Sequence, residues 1–238
     1  MSGFSTARDR RHETSPWLSA PLGNVLVVTE TPTDDPYDLA RKAAARLAEL
    51  TGVEKHDVAL VLGSGWLPAA DMLADDEQSL TAEIATTDLP GFSAAAVAGH
   101  SGRIRSIRAG DKNLLLFLSR THYYEGKGVS AVVHPVRTAA AAGCATMVLT
   151  NGCGGLDPSW SPGTPVLIKD HINLTGRSPL VGANFVDLTD LYSTRLRTLA
   201  KEVDASLGRA STSSSPAPTT RPRRRSGWRA SSVARWSG

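Results

Sequence analysis

The sequence predicts an α/β fold, a three-layer α/β/α sandwich around a mixed sheet. Two observations support this prediction. Apolar runs that suit strands buried on both faces alternate along the chain with stretches typical of helices. The 238 residues are 41% hydrophobic and 21% charged, as in an ordinary globular chain, and this length suffices for one domain with a sizeable core.

The first predicted element is a helix that starts after Asp35, whose side chain can cap it. Pro36 suits its first turn, and Gly52 lies just beyond its end. Residues 1–33 are polar and contain prolines, so we expect a poorly ordered leader there. Its arginines are not followed by an apolar run, and no secretory signal is visible.

Apolar runs further along the chain predict strands. The first, Val58–Leu62, is apolar throughout, which is typical of a parallel strand covered on both faces. Two helices are predicted, over 66–73 and over the Ala-rich stretch 129–142, in which Pro135 must begin or kink the helix. The other predicted strands are Arg103–Ile107, Leu114–Leu118, Ala145–Thr150 and Pro165–Lys169.

The charge of the chain is unevenly distributed. The net charge is +3, but residues 209–238 hold seven arginines and no acidic residue, which leaves 19 basic and 23 acidic residues in 1–208. This tail contains one Val and no Leu, Ile or Phe, so its composition predicts disorder after a domain over 34–208. An Arg-rich tail also suits nucleic-acid binding, which is an alternative function from a different class.

Composition and motif spacing exclude several other classes. No apolar run reaches the roughly 20 residues of a membrane-spanning helix. Two cysteines, Cys144 and Cys153, cannot form a disulfide framework and favour a reducing compartment, the cytoplasm. Asp170 and His171 lack a third ligand, so no metal site is predicted. The six-residue glycine fingerprint of dinucleotide-binding folds is absent, which argues against a nicotinamide cofactor.

The turns that follow predicted strands carry candidate binding groups. Gly63-Ser64-Gly65 follows the first strand; its N–H groups and hydroxyl suit an anion, although such a motif is most often an ordinary turn. Arg120, His122 and Tyr124 follow the strand 114–118 and share one face of an extended chain. Arg and His suit phosphate, and Tyr suits a sugar or base, whereas a polar surface loop remains the alternative.

Two further glycine-rich turns are less specific. Gly152-Cys153-Gly154-Gly155 follows a predicted strand and exposes backbone N–H groups suited to an anion. Nothing near Cys153 in the sequence would activate its thiol. His100 lies in the turn Gly99–Arg103, for which a solvated turn is the simpler interpretation.

Taken together, these motifs resemble those of the trimeric purine nucleoside phosphorylases, in the same order. The resemblance covers roughly residues 35–207. The motifs are Gly63–Gly65, Gly99–Arg103, Arg120–Gly126, Thr150–Leu156 and Asp170–Leu174, and Pro179–Gly182 and Phe185–Tyr192 continue the match.

The resemblance implies a transferase of purine salvage that needs phosphate as co-substrate and no cofactor or metal. Phosphate would attack C1′ of a purine ribonucleoside or deoxyribonucleoside and release the free base and the pentose 1-phosphate. In the family, Tyr124 matches a residue that contacts the ribose, and Phe185 one that reaches across a homotrimer interface to a neighbour's sugar. His122 is the implied catalytic residue. The implied phosphate ligands are Ser64, His100, Arg120, His122 and the backbone N–H of Gly152.

The sequence departs from the family after Gly208. The family's purine-contacting Asn and Glu lie in a C-terminal third that the Arg/Ser tail replaces, so no purine-binding residue is retained. When Arg209–Trp228 is written in GC-rich codons and read from the third base, it gives GVYVQFPGPHYETPAEIRM. That peptide resembles the family's next segment, which predicts a frameshift near Gly208. We therefore expect this chain to be inactive.

One related enzyme class remains an alternative at this point. Methylthioadenosine phosphorylases share the scaffold, and their discriminating residues fall mostly in the replaced third. The stretch Tyr123–Gly126 favours the purine nucleoside type. Because the base-contacting residues also fall in the replaced third, the base preference stays open: it is either for hypoxanthine and guanine or for adenine.

Overall fold

The structure is a computed structural model that describes residues 35–63, 66–74, 79–93, 102–214 and 229–235. All of these lie in Asp34–Gly238, the second of the two units into which the chain divides. The predicted leader, residues 1–33, lies outside the described residues.

Four α-helices occur in the described part of the chain. They are α1 (Pro36–Thr51), α2 (Leu67–Leu73), α3 (Gly128–Ala141) and α4 (Thr194–Val203). Two single 3₁₀ turns accompany them, at Thr86–Asp88 and Tyr123–Glu125. None of the helices within these ranges is both long and apolar enough to cross a membrane.

Helix α1 begins and ends where the sequence predicts. The Asp35 carboxylate accepts a hydrogen bond from the Tyr37 N–H at 3.1 Å, which caps the first turn. Gly52 adopts the left-handed conformation, with φ of 69°, and its N–H donates to the Ala48 carbonyl. In α3, Pro135 lies inside the helix, so of the two possibilities left open by the sequence it does not begin the helix.

The strands of the described residues form one mixed sheet. They are β1 (Val58–Val61), β2 (Leu80–Ala85), β3 (Arg103–Ala109), β4 (Lys112–Phe117), β5 (Thr146–Asn151), β6 (Pro165–Asn173), β7 (Gly208–Ser214) and β8 (Arg229–Arg235). Their order is β2-β3-β4-β1-β5-β8-β6-β7. The five predicted strands correspond to β1, β3, β4, β5 and β6, whereas β2 was not predicted.

The centre of the sheet is parallel. Val58 of β1 pairs with Leu114 of β4 on one side and with Thr146 of β5 on the other. At one side of the sheet, the edge strand β2 is antiparallel to β3, and β3 is antiparallel to β4. Because β4, β1 and β5 run in one direction, their carboxyl ends lie along the same edge of the sheet, where open α/β sheets bind ligands.

Helices cover both faces of the sheet, which confirms the three-layer sandwich. On one face, Leu47 of α1 and Ala139 of α3 pack with Ala59, Leu115 and Met147 of the central strands. On the other face, the core cluster comprises Ala70 of α2, Leu62, Ile107 and Leu116. The central strands are therefore apolar on both sides, as their sequence predicts.

Two strands lie in the segment for which composition predicts disorder. β7 pairs in parallel with β6, from Val166↔Gly208 to Asn173↔Ser214, and β8 lies between β5 and β6. The disorder predicted for the tail 209–238 as a whole stays a prediction. A strand ladder is made by backbone groups, so a segment with few apolar side chains is able to pair with a neighbouring strand.

Two histidines are buried in the face of the sheet that α1 and α3 cover. Nε2 of His56 forms a hydrogen bond of 2.9 Å with Oγ of Ser106, while its Nδ1 is buried without a partner. Burial lowers the pKa of His56, and the nearby Asp57 only partly opposes this. Burial also lowers the pKa of His134, whose Nε2 lies 2.8 Å from the Pro90 carbonyl oxygen.

The free energy of unfolding should therefore fall as the pH is lowered from about 7 to 5. The unfolded chain takes up protons on both histidines near their ordinary pKa of about 6.5, whereas the folded chain takes them up only at lower pH. Each histidine contributes a slope of at most about 1.4 kcal/mol per pH unit. His56→Gln should reduce the slope measured by urea unfolding across this range. An equal slope in parent and variant would contradict the assignment.

Candidate functional site

The candidate site lies at the shared carboxyl edge of β1, β4 and β5. Gly63 follows β1, Arg120 and His122 follow β4, and Gly152 follows β5. The parallel pairing of these strands brings the three segments to one edge, although they are far apart in the sequence. The predicted ligands Ser64 and His100 lie outside the described residues.

Arg120 is a half-buried cation at this edge. Burial lowers the pKa of its guanidinium, and Tyr124 partly opposes this effect. One of its nitrogens donates to the carbonyl of Thr150, at the end of β5. None of the ion pairs among the described residues includes Arg120. A guanidinium partly removed from water and without a carboxylate partner favours binding of an anion such as phosphate.

The guanidinium of Arg120 lies directly against the backbone of Gly63. A Cβ atom placed on Gly63 would lie 2.9 Å from Nη1 of Arg120 and 3.1 Å from Nη2. The absence of a side chain on Gly63 makes room for the guanidinium at this position, whereas the backbone angle of Gly63 does not itself demand glycine. Gly63, the first residue of the predicted turn Gly63–Gly65, is therefore in contact with Arg120.

His122 is oriented by Glu125, a residue that sequence analysis did not single out. One carboxylate oxygen of Glu125 accepts from the His122 N–H at 2.8 Å and lies 3.1 Å from Nδ1 of the ring. Burial alone would raise the pKa of Glu125, but hydrogen bonds from His122 and from Lys127 outweigh it and hold that pKa below its ordinary value. The ionised carboxylate favours a proton on Nδ1, which directs Nε2 away from Glu125.

The segment after β4 does not remain extended as predicted. His122 is extended, with φ of −101° and ψ of 150°, but Tyr123–Glu125 forms a 3₁₀ turn. The turn stacks the Tyr124 ring on the His122 ring, with centroids 4.8 Å apart. His122 and Tyr124 are therefore adjacent, as predicted, although a turn and not strand alternation brings them together. A usable signal was the spacing of His122 and Glu125, three residues apart and followed by Gly126, which is typical of a capped turn.

The remaining predicted site residues lie on other segments of the chain. Gly152 is exposed in the irregular segment after β5, and the side chain of Phe185 is 96% exposed. Nδ1 of His171 forms a hydrogen bond of 3.0 Å with the Tyr192 hydroxyl. Within the described ranges, no group of three or more His, Cys, Asp or Glu side chains is placed to hold a metal ion.

Comparison with known proteins identifies relatives over most of the described chain. The family model of the phosphorylase superfamily matches residues 57–229. The purine nucleoside phosphorylase of a Cellulomonas species is 58% identical over 183 residues, which are 75% of this chain and 64% of that protein. The Mycobacterium tuberculosis purine nucleoside phosphorylase is 50% identical over 187 residues, 79% of this chain and 68% of the relative. The chain thus spans about two thirds of the length of these relatives.

Solved structures show the same relationship. A purine nucleoside phosphorylase from Schistosoma mansoni in complex with acetate superposes with a TM-score of 0.67 and 27% identity, covering 77% of this chain and 71% of its own. The enzyme from the same organism in complex with inosine gives a TM-score of 0.63 and 26% identity, covering 76% and 67%.

These matches extend through the sheet edge that carries Gly63, Arg120 and Gly152, so the site and the similarity occupy the same part of the chain. The family model covers well over half of the residues, and the mycobacterial relative is matched over more than two thirds of its length at 50% identity. The chain therefore belongs to the phosphorylase superfamily and, within it, to the purine nucleoside phosphorylase family.

Proposed function

We propose that this chain carries the phosphate-binding half of a purine nucleoside phosphorylase. The observation that carries the proposal is the half-buried guanidinium of Arg120, which has no carboxylate partner among the described residues and lies at the ligand-binding edge of the sheet. His122, held by Glu125, lies on the same segment. The inosine complex of the Schistosoma mansoni relative supports a purine nucleoside as the second substrate.

The proposed reaction transfers a pentosyl group from a purine nucleoside to inorganic phosphate. A phosphate oxygen forms a bond to C1′ while the bond from C1′ to the purine nitrogen breaks, and the departing purine keeps the electron pair and takes up a proton. The transition state has the character of an oxocarbenium ion, which the phosphate dianion stabilises. The protein contributes position and charge, so no protein nucleophile, cofactor or metal is required.

Each predicted residue has a role in this proposal. Arg120 and His122 hold the phosphate, together with Ser64, His100 and the Gly152 backbone. His122 is the proposed catalytic group, because its ring contacts the attacking phosphate. Tyr124, stacked on His122, is placed to contact the ribose. Names of the relatives favour this function over that of a methylthioadenosine phosphorylase.

We propose that the protein acts as a homotrimer in which Phe185 covers the sugar bound by a neighbouring subunit. Exposed apolar side chains are concentrated in residues 172–188, which we call the apolar segment. Burial of such residues between copies is the ordinary reason for their exposure in one copy. The exposed members are Ile172, Leu174, Leu180, Val181, Phe185, Val186 and Leu188.

We further propose that the protein functions in the cytoplasm. Within the described residues, neither Cys144 nor Cys153 forms a disulfide. Burial raises the pKa of the Cys144 thiol to about 12, which makes it unreactive at neutral pH. Both observations suit a reducing compartment.

The purine half of the site belongs, in this proposal, to the reading frame that the tail replaces. The peptide encoded from the third base of the Arg209 codon would follow Gly208 directly, at the point where β7 begins. We refer to the protein with that reading as the frame-restored chain. Resequencing the gene across codons 200–215 tests the proposed shift.

The first prediction concerns Arg120 in the frame-restored chain. Arg120→Ala removes a charge-assisted, bidentate donor to phosphate, which should cost about 2–4 kcal/mol of transition-state stabilisation, or roughly 30- to 900-fold in kcat/KM for phosphate. Phosphorolysis of inosine at varied phosphate concentration measures this. Arg46→Ala, which removes an arginine paired with Glu49 on the surface of α1, is the matched control. If Arg120→Ala stays within about threefold of the parent, the phosphate site is wrongly placed.

The second prediction concerns activity of the 238-residue chain itself. It should show no measurable phosphorolysis of inosine, because its residues supply no stabilisation for the departing purine, a loss of roughly 10²-fold or more in rate. The frame-restored chain, assayed in parallel, should be active. Robust turnover by the purified 238-residue chain, prepared from a host lacking its own enzyme, would show that the tail does not replace an essential half-site.

The third prediction concerns assembly of the frame-restored chain. Phe185→Ala should weaken the trimer in sedimentation-equilibrium experiments and raise the KM for inosine. It should change the free energy of unfolding of the monomer by no more than about 0.5 kcal/mol, because the side chain is exposed in a single copy. Met72→Ala, which truncates an exposed apolar side chain on α2, should change neither the stability of the trimer nor the KM for inosine. An unaltered trimer and an unaltered KM in Phe185→Ala would exclude the proposed contact.

A further inference from the structure

We infer that Thr150 is a positioning residue that fixes the anion-binding arrangement at the sheet edge. Its hydroxyl holds Gly63, and its carbonyl and the bare backbone of Gly63 together hold the guanidinium of Arg120. This inference rests on the proposed phosphate site, and it assigns a role to a residue that itself does not touch phosphate.

The hydroxyl of Thr150 joins β5 to the chain that leaves β1. The last pair between the two strands is Val61↔Leu149, so Thr150 lies one residue beyond it. Its Oγ1 donates to the Val61 carbonyl at 3.0 Å and accepts from the Gly63 N–H at 3.0 Å. Both distances are those of good hydrogen bonds, and together they extend the strand pairing by means of a side chain.

The carbonyl of Thr150 joins β5 to the segment that follows β4. It accepts a hydrogen bond from Nη1 of Arg120. The same nitrogen lies against Gly63, where a Cβ atom would approach it to 2.9 Å. Thr150, Gly63 and Arg120 therefore contact one another in turn, and each is supplied by the end of a different parallel strand.

This arrangement explains why a polar residue stands in an apolar strand. Thr150 is only 5% exposed, so Gly63 N–H and Val61 C=O are satisfied by its hydroxyl and not by water. Removing the hydroxyl takes away the acceptor of the Gly63 N–H, and the Gly63 turn must move to satisfy that group. Any such movement displaces the surface against which the guanidinium rests.

Burial alone does not produce this role, as a second threonine shows. Thr138 of α3 is completely buried, and its hydroxyl has no hydrogen-bond partner in the part of the chain that the structure describes. Replacing Thr138 with valine exchanges a buried hydroxyl for a methyl group, as Thr150→Val does, but it breaks no hydrogen bond. Thr138→Val is therefore the matched control for Thr150→Val.

The test measures binding of inorganic phosphate to the full 238-residue chain by isothermal titration calorimetry. Thr150→Val should weaken phosphate binding by about tenfold or more, whereas Thr150→Ser, which keeps the hydroxyl, should stay within about threefold of the parent. Thr138→Val should bind as the parent does. Amide hydrogen exchange should be faster at Gly63 in Thr150→Val and unchanged in Thr150→Ser, because only the former loses the acceptor.

Gly63→Ala provides a second route if Thr150→Val does not fold. The added methyl keeps both hydrogen bonds of the Thr150 hydroxyl and pushes only on the mobile end of Arg120, so the melting temperature should change little. Phosphate binding should nevertheless weaken by about tenfold. If Gly63→Ala binds phosphate as tightly as the parent does, the inference is overturned. Phosphate binding would then not depend on the contact between the Arg120 guanidinium and the Gly63 backbone.

The outcomes separate this inference from the function on which it rests. A parent chain that does not bind phosphate overturns the proposed phosphate site and this inference with it. A parent that binds phosphate, together with a folded Thr150→Val that binds equally well, overturns the inference alone. Loss of binding in both Thr150→Val and Thr150→Ser also overturns it, because the hydroxyl would then not be the group that matters.

Discussion

The parallel pairing of β4, β1 and β5 is the constraint on which the site depends. Apart from Lys112 at the exposed start of β4, these three parallel strands carry no charged side chain, and all three segments leave the sheet at the same edge. Arg120 lies there half-buried, close enough to the core for burial to lower its pKa. The proposed interaction of its guanidinium with an anion would be strengthened for the same reason, because the surroundings screen charge less than water does.

Those parts of the fold that depend on local chemistry were predictable from the sequence. Asp35 and Gly52 mark the ends of α1 because capping needs only neighbouring backbone groups. Leu80–Ala85 was missed because Ile84 alone is fully buried in it, which leaves no apolar run to detect. β7 and β8 were missed because main-chain pairing to the edges of β6 and β5 leaves no trace in composition.

The site was predictable in its residue types and not in its geometry. Alternation placed His122 and Tyr124 on one face, but the bonds from His122 to Glu125 favour a turn, and stacking results from that turn. Thr150 gave no sequence signal because its partners Val61 and Gly63 lie 89 and 87 residues away. Contacts of this range follow from strand order, which the sequence did not specify.

The proposed reaction uses no protein nucleophile, so it depends on how firmly the phosphate is held, and this assigns different tasks to different parts of the chain. The proposed anion site lies at the ends of central strands, where backbone pairing on both sides restricts movement. The apolar segment, by contrast, is exposed and irregular over most of its length, and its proposed partner is a second copy. In this proposal the rigid strand ends hold the phosphate that attacks C1′, while the contacts that close around a nucleoside and release it lie at the surface. A positioning residue such as Thr150 belongs to the first part, because it connects two of those strand ends through a single buried hydroxyl.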